Sequence, residues 1–446
     1  MKTTFSILLL AVLCVFAIMT VSPAEASTIT LTAELDKPLM LEQKIQTAYL
    51  RIGLTGYPLE AVQKRSPVNI ALVIDKSGSM SGERIQHARE AAILALRRLN
   101  ADDIVSVVTY DSSVQVLVPA TKMTNREDVI RKIGQIQASG TTALYAGVQA
   151  GAKEVEKFQS PGRVNRVILL SDGHANVGPS SPEELGRLGG QQAEKGLTVT
   201  TIGLGLSYNE DLMSRLALKS DGGHYFAKSP NDLASVFDRE FDRALSVVAQ
   251  EIRIEIHLPA YVRPVRVLGR EGHIDNQTIL VDMGSVFSEH EKYVLIETEV
   301  GPGPESVASS LSRPLPIADV KIRYRDLKTT ELQTQNAHIT AILTGDADRV
   351  EKSINTRVAA DVVEQIGVLE NERATALRDE GKIEQARQVL NDNADYLRLN
   401  AAALNSPGLE RFAAENRSQA GQLDEANWGE SRKGMVEGQA ARRTQQ

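Results

Sequence analysis

Residues 68–80, VNIALVIDKSGSM, limit what this chain can fold into more than any other stretch. The first seven, Val68 to Ile74, are mostly apolar and β-favouring, so they predict a strand covered on both faces. The run stops at Asp75-Lys76-Ser77-Gly78-Ser79, where one carboxylate and two hydroxyls stand at alternate positions. Beyond it, Ile85, Ala88, Ala92, Leu96 and Leu99 fall at helical spacing, opposite Glu83, Arg84, Arg89, Glu90, Arg97 and Arg98. Strand, oxygen-rich loop and helix together form a binding layout at the carboxyl edge of a parallel sheet.

Asp-x-Ser-x-Ser offers only hard oxygen donors, which suit Mg²⁺, Mn²⁺ or Ca²⁺ rather than zinc or copper. Taken alone, the motif reads more readily as a cap for the helix that follows. Two later segments bear on the choice. Ser139-Gly140-Thr141-Thr142-Ala143-Leu144 again sets hydroxyls before a helical pattern, Leu144, Val148, Val155 and Phe158. Residues 167–173, VILLSDG, form a second buried strand pattern ending in a carboxylate. In order and context these three segments resemble the von Willebrand factor type A (vWA) domain over about 67–245. The resemblance implies a metal-ion-dependent adhesion site made of Asp75, Ser77, Ser79, Thr142 and Asp172. Lys76 departs from the family pattern in charge only and is expected to point away from the ion. Thr141 stands where many members carry a second glycine, which leaves Thr141 and Thr142 to be distinguished; Ala143-Leu144 favours Thr142.

The ends of the chain bear on compartment. Lys2, the apolar run 5–21 and Ala24-Glu25-Ala26 have the pattern of a secretory signal, with cleavage expected after Ala26. An uncleaved anchor is the alternative, and the apolar run is short for a bilayer span. Cys14 is the only cysteine and falls inside this segment, so no disulfide or thiolate site is expected after cleavage. No other stretch is long and apolar enough to span a membrane. A net charge of −7 argues against nucleic acid as a partner. The expected location is secreted, periplasmic or cell-envelope.

The remainder of the chain sorts by period. Residues 27–66 read as a β segment and connection, with Ala48, Leu50, Ile52 and Leu54 on one side of a strand. Within 67–245, strand patterns at 104–110, 164–170, 197–203 and 224–227 alternate with helical ones, which predicts a doubly wound, mainly parallel α/β sheet. Ser181-Pro182-Glu183-Glu184 carries a capping box with proline at the first helical position. At Glu251 the period changes to two, so 246–345 is expected to be an antiparallel, sandwich-like β domain. Pro264 marks an edge or bulge there. The 27–56 segment has no other partner, so the A-type domain is expected to be inserted into this β domain. Residues 346–405 predict a helical hairpin turning at Asp379-Glu380-Gly381-Lys382, and 406–446 a polar, partly disordered tail. This order of elements is also similar to the inter-α-trypsin-inhibitor heavy chains.

Three classes of function are open at this point. The resemblance implies a non-enzymatic module that binds a protein partner through a metal-held Glu or Asp carboxylate. A structural or assembly subunit with a vestigial metal site is the alternative. An enzyme is the least supported: Asp75-x-Ser77 lacks the second carboxylate of a D-x-D phosphatase loop. H-E-x-x-H, G-x-S-x-G and Walker A patterns are absent. His174, two residues after Asp172, is a candidate for shaping ligand access.

Overall fold

The computed structural model of the chain describes residues 29–59, 65–302 and 314–445. The segment read as a secretory signal lies outside the described residues.

Three strands come first: β1 (Ile29–Leu35), β2 (Leu39–Leu41) and β3 (Gln46–Gly56). The α/β domain follows with β4 (Val68–Asp75), α1 (Glu83–Leu96), β5 (Ile104–Tyr110), β6 (Val114–Lys122), α2 (Arg126–Gly134) and α3 (Leu144–Glu156). It continues with β7 (Val164–Ser171), α4 (Pro182–Glu194), β8 (Thr198–Leu204), α5 (Glu210–Lys219), β9 (His224–Ala227) and α6 (Leu233–Leu245). Its sheet runs β6-β5-β4-β7-β8-β9, parallel except for the edge strand β6. β4 is central and buried throughout, because alternate side chains enter two different cores. Val68, Ile70, Leu72 and Ile74 pack with α1 and α6, while Ala71 and Val73 pack with α3, α4 and α5. Contact with α3 is close enough that a Cβ on Gly151 would lie 2.4 Å from Val73 Cγ2. Only glycine lets that helix sit so near the strand. At the start of α4, Ser181 and Glu184 form the expected reciprocal capping box.

After α6 the chain enters strands β10 (Val247–His257), β11 (Val262–Leu268), β12 (His273–Asp275), β13 (Thr278–Phe287), β14 (Glu291–Val300), β15 (Leu315–Asp326) and β16 (Leu332–Thr344). They form two sheets with the N-terminal strands, β1-β3-β14-β11 and β12-β13-β10-β15-β16-β2. The inward faces share one core, in which Leu50, Ile52, Ile254, Val294 and Ile322 are all buried. β3 pairs antiparallel with β14 from Gln46↔Val300 to Thr55↔Glu291, so the α/β domain is an excursion within this β structure. β11 is an edge strand, and its register slips between Pro264 and Arg266. A proline has no N–H to give the ladder, which is why it sits there.

Helices α7 (Ala347–Lys352), α8 (Thr356–Asp379) and α9 (Ile383–Leu404) follow. Gly381, at φ +78°, makes the turn of the α8–α9 hairpin. Val358 and Val362 of α8 cover Leu268, Tyr293 and Leu295 on the outer face of the first sheet. The expectation of a polar, partly disordered 406–446 tail is corrected. Two more helices form there, α10 (Pro407–Ala420) and α11 (Glu425–Thr444). Leu409 and Phe412 bury against Leu397, and Met435 buries with Ala374 and Leu390. Tertiary contacts supply the apolar burial that composition alone does not reveal. Among the described residues, no helix is long and apolar enough to cross a membrane.

Candidate metal centre

The site forms where β4, β7 and the loop before α3 end on one rim. Asp75 closes β4 and is fully buried. Its Oδ1 accepts the Ser77 backbone N–H at 2.8 Å and its Oδ2 accepts the Ser171 hydroxyl at 2.6 Å. The first bond folds 75–77 into a tight turn that presents the two serines in sequence. Ser77 and Ser79 hydroxyls lie 3.1 Å apart, and Ser79 Oγ donates to Asp172 Oδ1 at 2.6 Å. The loops are laced by their backbones, with Gly78 N–H on Gly140 C=O at 3.0 Å and Ser139 N–H on Lys76 C=O at 2.6 Å.

The two threonines separate cleanly. Thr141 is exposed, and its hydroxyl donates to Ser112 Oγ at 2.9 Å. Thr142 is buried, with its N–H donating to Asn176 Oδ1 at 2.8 Å and its C=O accepting from Asn176 N–H at 3.1 Å. Gly173 locates the point of convergence. A Cβ built there would lie 3.4 Å from both Ser79 Oγ and Thr142 Oγ1, and 4.0 Å from Ser77 Oγ. Three hydroxyls thus surround a space that any side chain at 173 would enter.

Burial pushes the Asp75 carboxyl up to about 6, against the hydrogen bonds from Ser171 and Ser77 and with the charge of Asp172 adding to the rise. Two buried carboxylates and three hydroxyls, with no thiol or imidazole among them, fit a hard divalent cation. Asp75 and Asp172 would hold its charge, and Ser77, Ser79 and Thr142 would add neutral oxygens.

Lys76 turns away to pair with Asp111 and reaches Ser139 Oγ at 3.4 Å. His174 is exposed, His87 pairs with Glu90, and His224 is buried against Thr201; none touches a site hydroxyl. Sequence reasoning missed Arg84, in the first turn of α1. Its Nη1 donates to Asp172 Oδ2 at 2.5 Å and to the Ser79 carbonyl at 3.2 Å. The available signal was its place directly after the oxygen-rich loop.

A doubly wound sheet with a D-x-S-x-S loop, a threonine and an aspartate gathered on its carboxyl rim is the arrangement of an A-type domain, a class that commonly binds a divalent metal there. Residues 69–239 match the family model of the von Willebrand factor type A domain, and this part of the chain is a vWA domain. An uncharacterized protein of Synechocystis sp. is 26% identical over 305 residues, covering 62% of this chain and 71% of that protein. Human inter-alpha-trypsin inhibitor heavy chain H3 is 28% identical over 170 residues, 35% of this chain but only 18% of the heavy chain. A solved von Willebrand factor type A protein from Catenulispora acidiphila superposes with a TM-score of 0.70 at 17% identity. It covers 86% of this chain and 90% of its own, so the likeness in fold extends to the flanking β sheets and helices.

Proposed function

We propose that this chain is a non-catalytic, exported binding protein that captures a protein partner through a divalent ion at the Asp75 rim, the partner supplying a Glu or Asp carboxylate. The observation that carries this reading is the convergence of the Ser77, Ser79 and Thr142 hydroxyls, with Asp75 and Asp172, on the space facing Gly173. Held by one oxygen from each of these five residues, Mg²⁺, Mn²⁺ or Ca²⁺ would still want a further oxygen, a position that an external carboxylate fills. Asp75 is fixed by bonds to both of its oxygens, and Asn176 fixes Thr142 through its backbone. Among the described residues no imidazole or free amine lies against the three hydroxyls to activate one as a nucleophile, which supports binding over hydrolysis. Exposed Val177 and Leu206 stand on loops beside the site and suit contact with a protein surface. The apolar 5–21 run and its A-x-A site support export.

Isothermal titration of the full chain with Mg²⁺ or Mn²⁺ tests this reading. One divalent site is expected, and Asp75→Ala is expected to remove it. Pull-down from the exported or envelope fraction should yield a partner in Mg²⁺ and lose it in chelator. Unchanged metal binding by Asp75→Ala, or full capture in chelator, would leave the assembly-subunit reading in its place.

A further inference from the structure

We propose that Arg84, which pairs with Asp172 at the edge of this site, is a second carboxylate-binding group there, acting beside the divalent ion on the partner's carboxylate. The inference rests on the metal-dependent binding proposed above and adds a residue outside the five-residue set. Asp172 is shared by two neighbours of opposite demand. Its Oδ1 accepts from Ser79, inside the ring of hydroxyls, and its Oδ2 accepts from Arg84, on the solvent side. The Asp172 side chain is fully buried while that of Arg84 keeps 36% of its exposure, so the guanidinium sits at the mouth of the site.

Only Nη1 of Arg84 is engaged, with Asp172 and the Ser79 carbonyl; Nε and Nη2 donate to nothing among the described residues. Nη2 lies 3.7 Å from the position of a Cβ on Gly205, beside the loop that carries exposed Leu206. Unused planar donors therefore stand on a part-exposed guanidinium beside that loop. The other cation on these loops, Lys76, is committed to Asp111. A carboxylate that gives one oxygen to an ion has a second oxygen to satisfy, and a guanidinium fork matches that need.

The arrangement has a signature that a purely structural arginine lacks. Positive charge on Arg84 competes with a divalent cation for Asp172, so its removal strengthens metal binding. The same removal takes donors from an incoming carboxylate, so carboxylate binding weakens. The two affinities move in opposite directions.

The test uses the full chain as wild type, R84A, R84Q and R84K. Mn²⁺ is titrated calorimetrically, and acetate is then added while water-proton relaxation reports displacement of water from bound Mn²⁺. Circular dichroism melting checks folding, and R84Q repeats the neutralisation should R84A not fold. Expected for the neutral variants is Mn²⁺ binding tighter by roughly five- to tenfold, with acetate weaker by about tenfold. R84K is expected to hold Mn²⁺ as wild type does yet lose most of the acetate affinity. Neutral variants that bind Mn²⁺ no tighter, or acetate no weaker, overturn the role of Arg84 while leaving the metal-dependent reading intact. Wild-type protein that binds no Mn²⁺ overturns both.

Discussion

Arg51 of β3 grips Glu291 of β14 with both guanidinium Nη atoms, at 3.0 and 2.9 Å, across 240 residues of chain. Its Nε donates to Asp361 of α8 at 2.5 Å, and the guanidinium lies over the Tyr293 ring, 4.6 Å from its centre. One buried cation therefore ties the strand before the vWA domain to the strand after it and to the first long C-terminal helix. Removing it takes the ion-pair partner from Asp361, while Glu291 keeps its pair with Arg357. Arg51→Met is expected to cost about 3–5 kcal/mol of stability, read as a lower urea midpoint. A loss below about 1 kcal/mol, the range of surface pairs, would show that the network contributes little.

The same pairing sets what folds alone. β14 has β3 on one side and β11 on the other, so a fragment of 246–345 exposes a bare edge and the apolar face that Leu50, Ile52 and Leu54 cover. That fragment is expected to aggregate unless residues 27–56 are co-expressed, whereas 67–245 should fold alone around its own two cores. Dispersed amide resonances from isolated 246–345 would contradict this expectation.

Helix α11 returns to the vWA domain and closes on it by charge. Arg432 bridges Glu210 and Asp211 of α5 to Asp379 of α8, at 2.6, 2.8 and 2.7 Å. Its neighbour Lys433 is buried over the Tyr208 ring and donates to the Tyr208 carbonyl at 2.8 Å. Burial pushes the Lys433 amine down, although Glu210 pulls it back. The double variant Arg432→Ala, Lys433→Ala should release α11 while the sheet stays folded. Hydrogen exchange is expected to speed up across 425–444 and in α5 but not in β4 or β7. Uniform protection across α11 in that variant would show that apolar contacts alone hold the helix.

What the sequence disclosed follows from where its signals are local. β4 and β7 were legible because both faces of each are mostly apolar, and the α4 start because a capping box needs only four residues. Pro264 marked an edge because a missing N–H is a property of one residue. β16 was not picked out: its first half alternates Leu332, Gln333, Thr334, Gln335, and the inward Gln335 bonds the Ile29 carbonyl and the Tyr324 hydroxyl instead of packing an apolar side chain. Helices α10 and α11 were read as tail because their buried positions include Asn416, Lys433 and Thr444. The Arg84–Asp172 contact spans 88 positions, so helical spacing placed Arg84 on a polar face and said nothing of what it faces.

Proton linkage gives the metal site a pH dependence. Burial raises the Asp75 carboxyl to about 6, so below that pH the folded, metal-free protein carries a proton there. A cation must displace that proton, and its apparent affinity should fall by about tenfold per pH unit below 6 while changing little between 7 and 8. Titrations in buffers of different ionisation enthalpy should show close to one proton released at pH 5 and nearly none at pH 7.5. Affinity that is flat from pH 5 to 8 would place Asp75 outside the metal's ligands.

The same carboxylate makes the metal-free fold less stable than it would be with a neutral side chain. Asp75 has a folded pKa raised above the ordinary 3.8, so its contribution to stability is fully present below about pH 4 and is lost as pH rises through about 6. Asp75→Asn removes the buried charge and keeps the shape. The new amide oxygen still accepts from the Ser77 N–H, and the amide NH₂ donates to Ser171 Oγ in place of accepting from it. Without metal, the variant should exceed the wild type by up to about 3 kcal/mol at pH 7.5, and the advantage should vanish near pH 4. With saturating Mn²⁺ the order should reverse, because only the wild type gains binding energy in the folded state. Thermal melts at pH 4 and 7.5, with Mn²⁺ and with chelator, separate these terms. A variant less stable than wild type at pH 7.5 in chelator would show that the Ser171 and Ser77 hydrogen bonds to the charged carboxylate outweigh the cost of burying it.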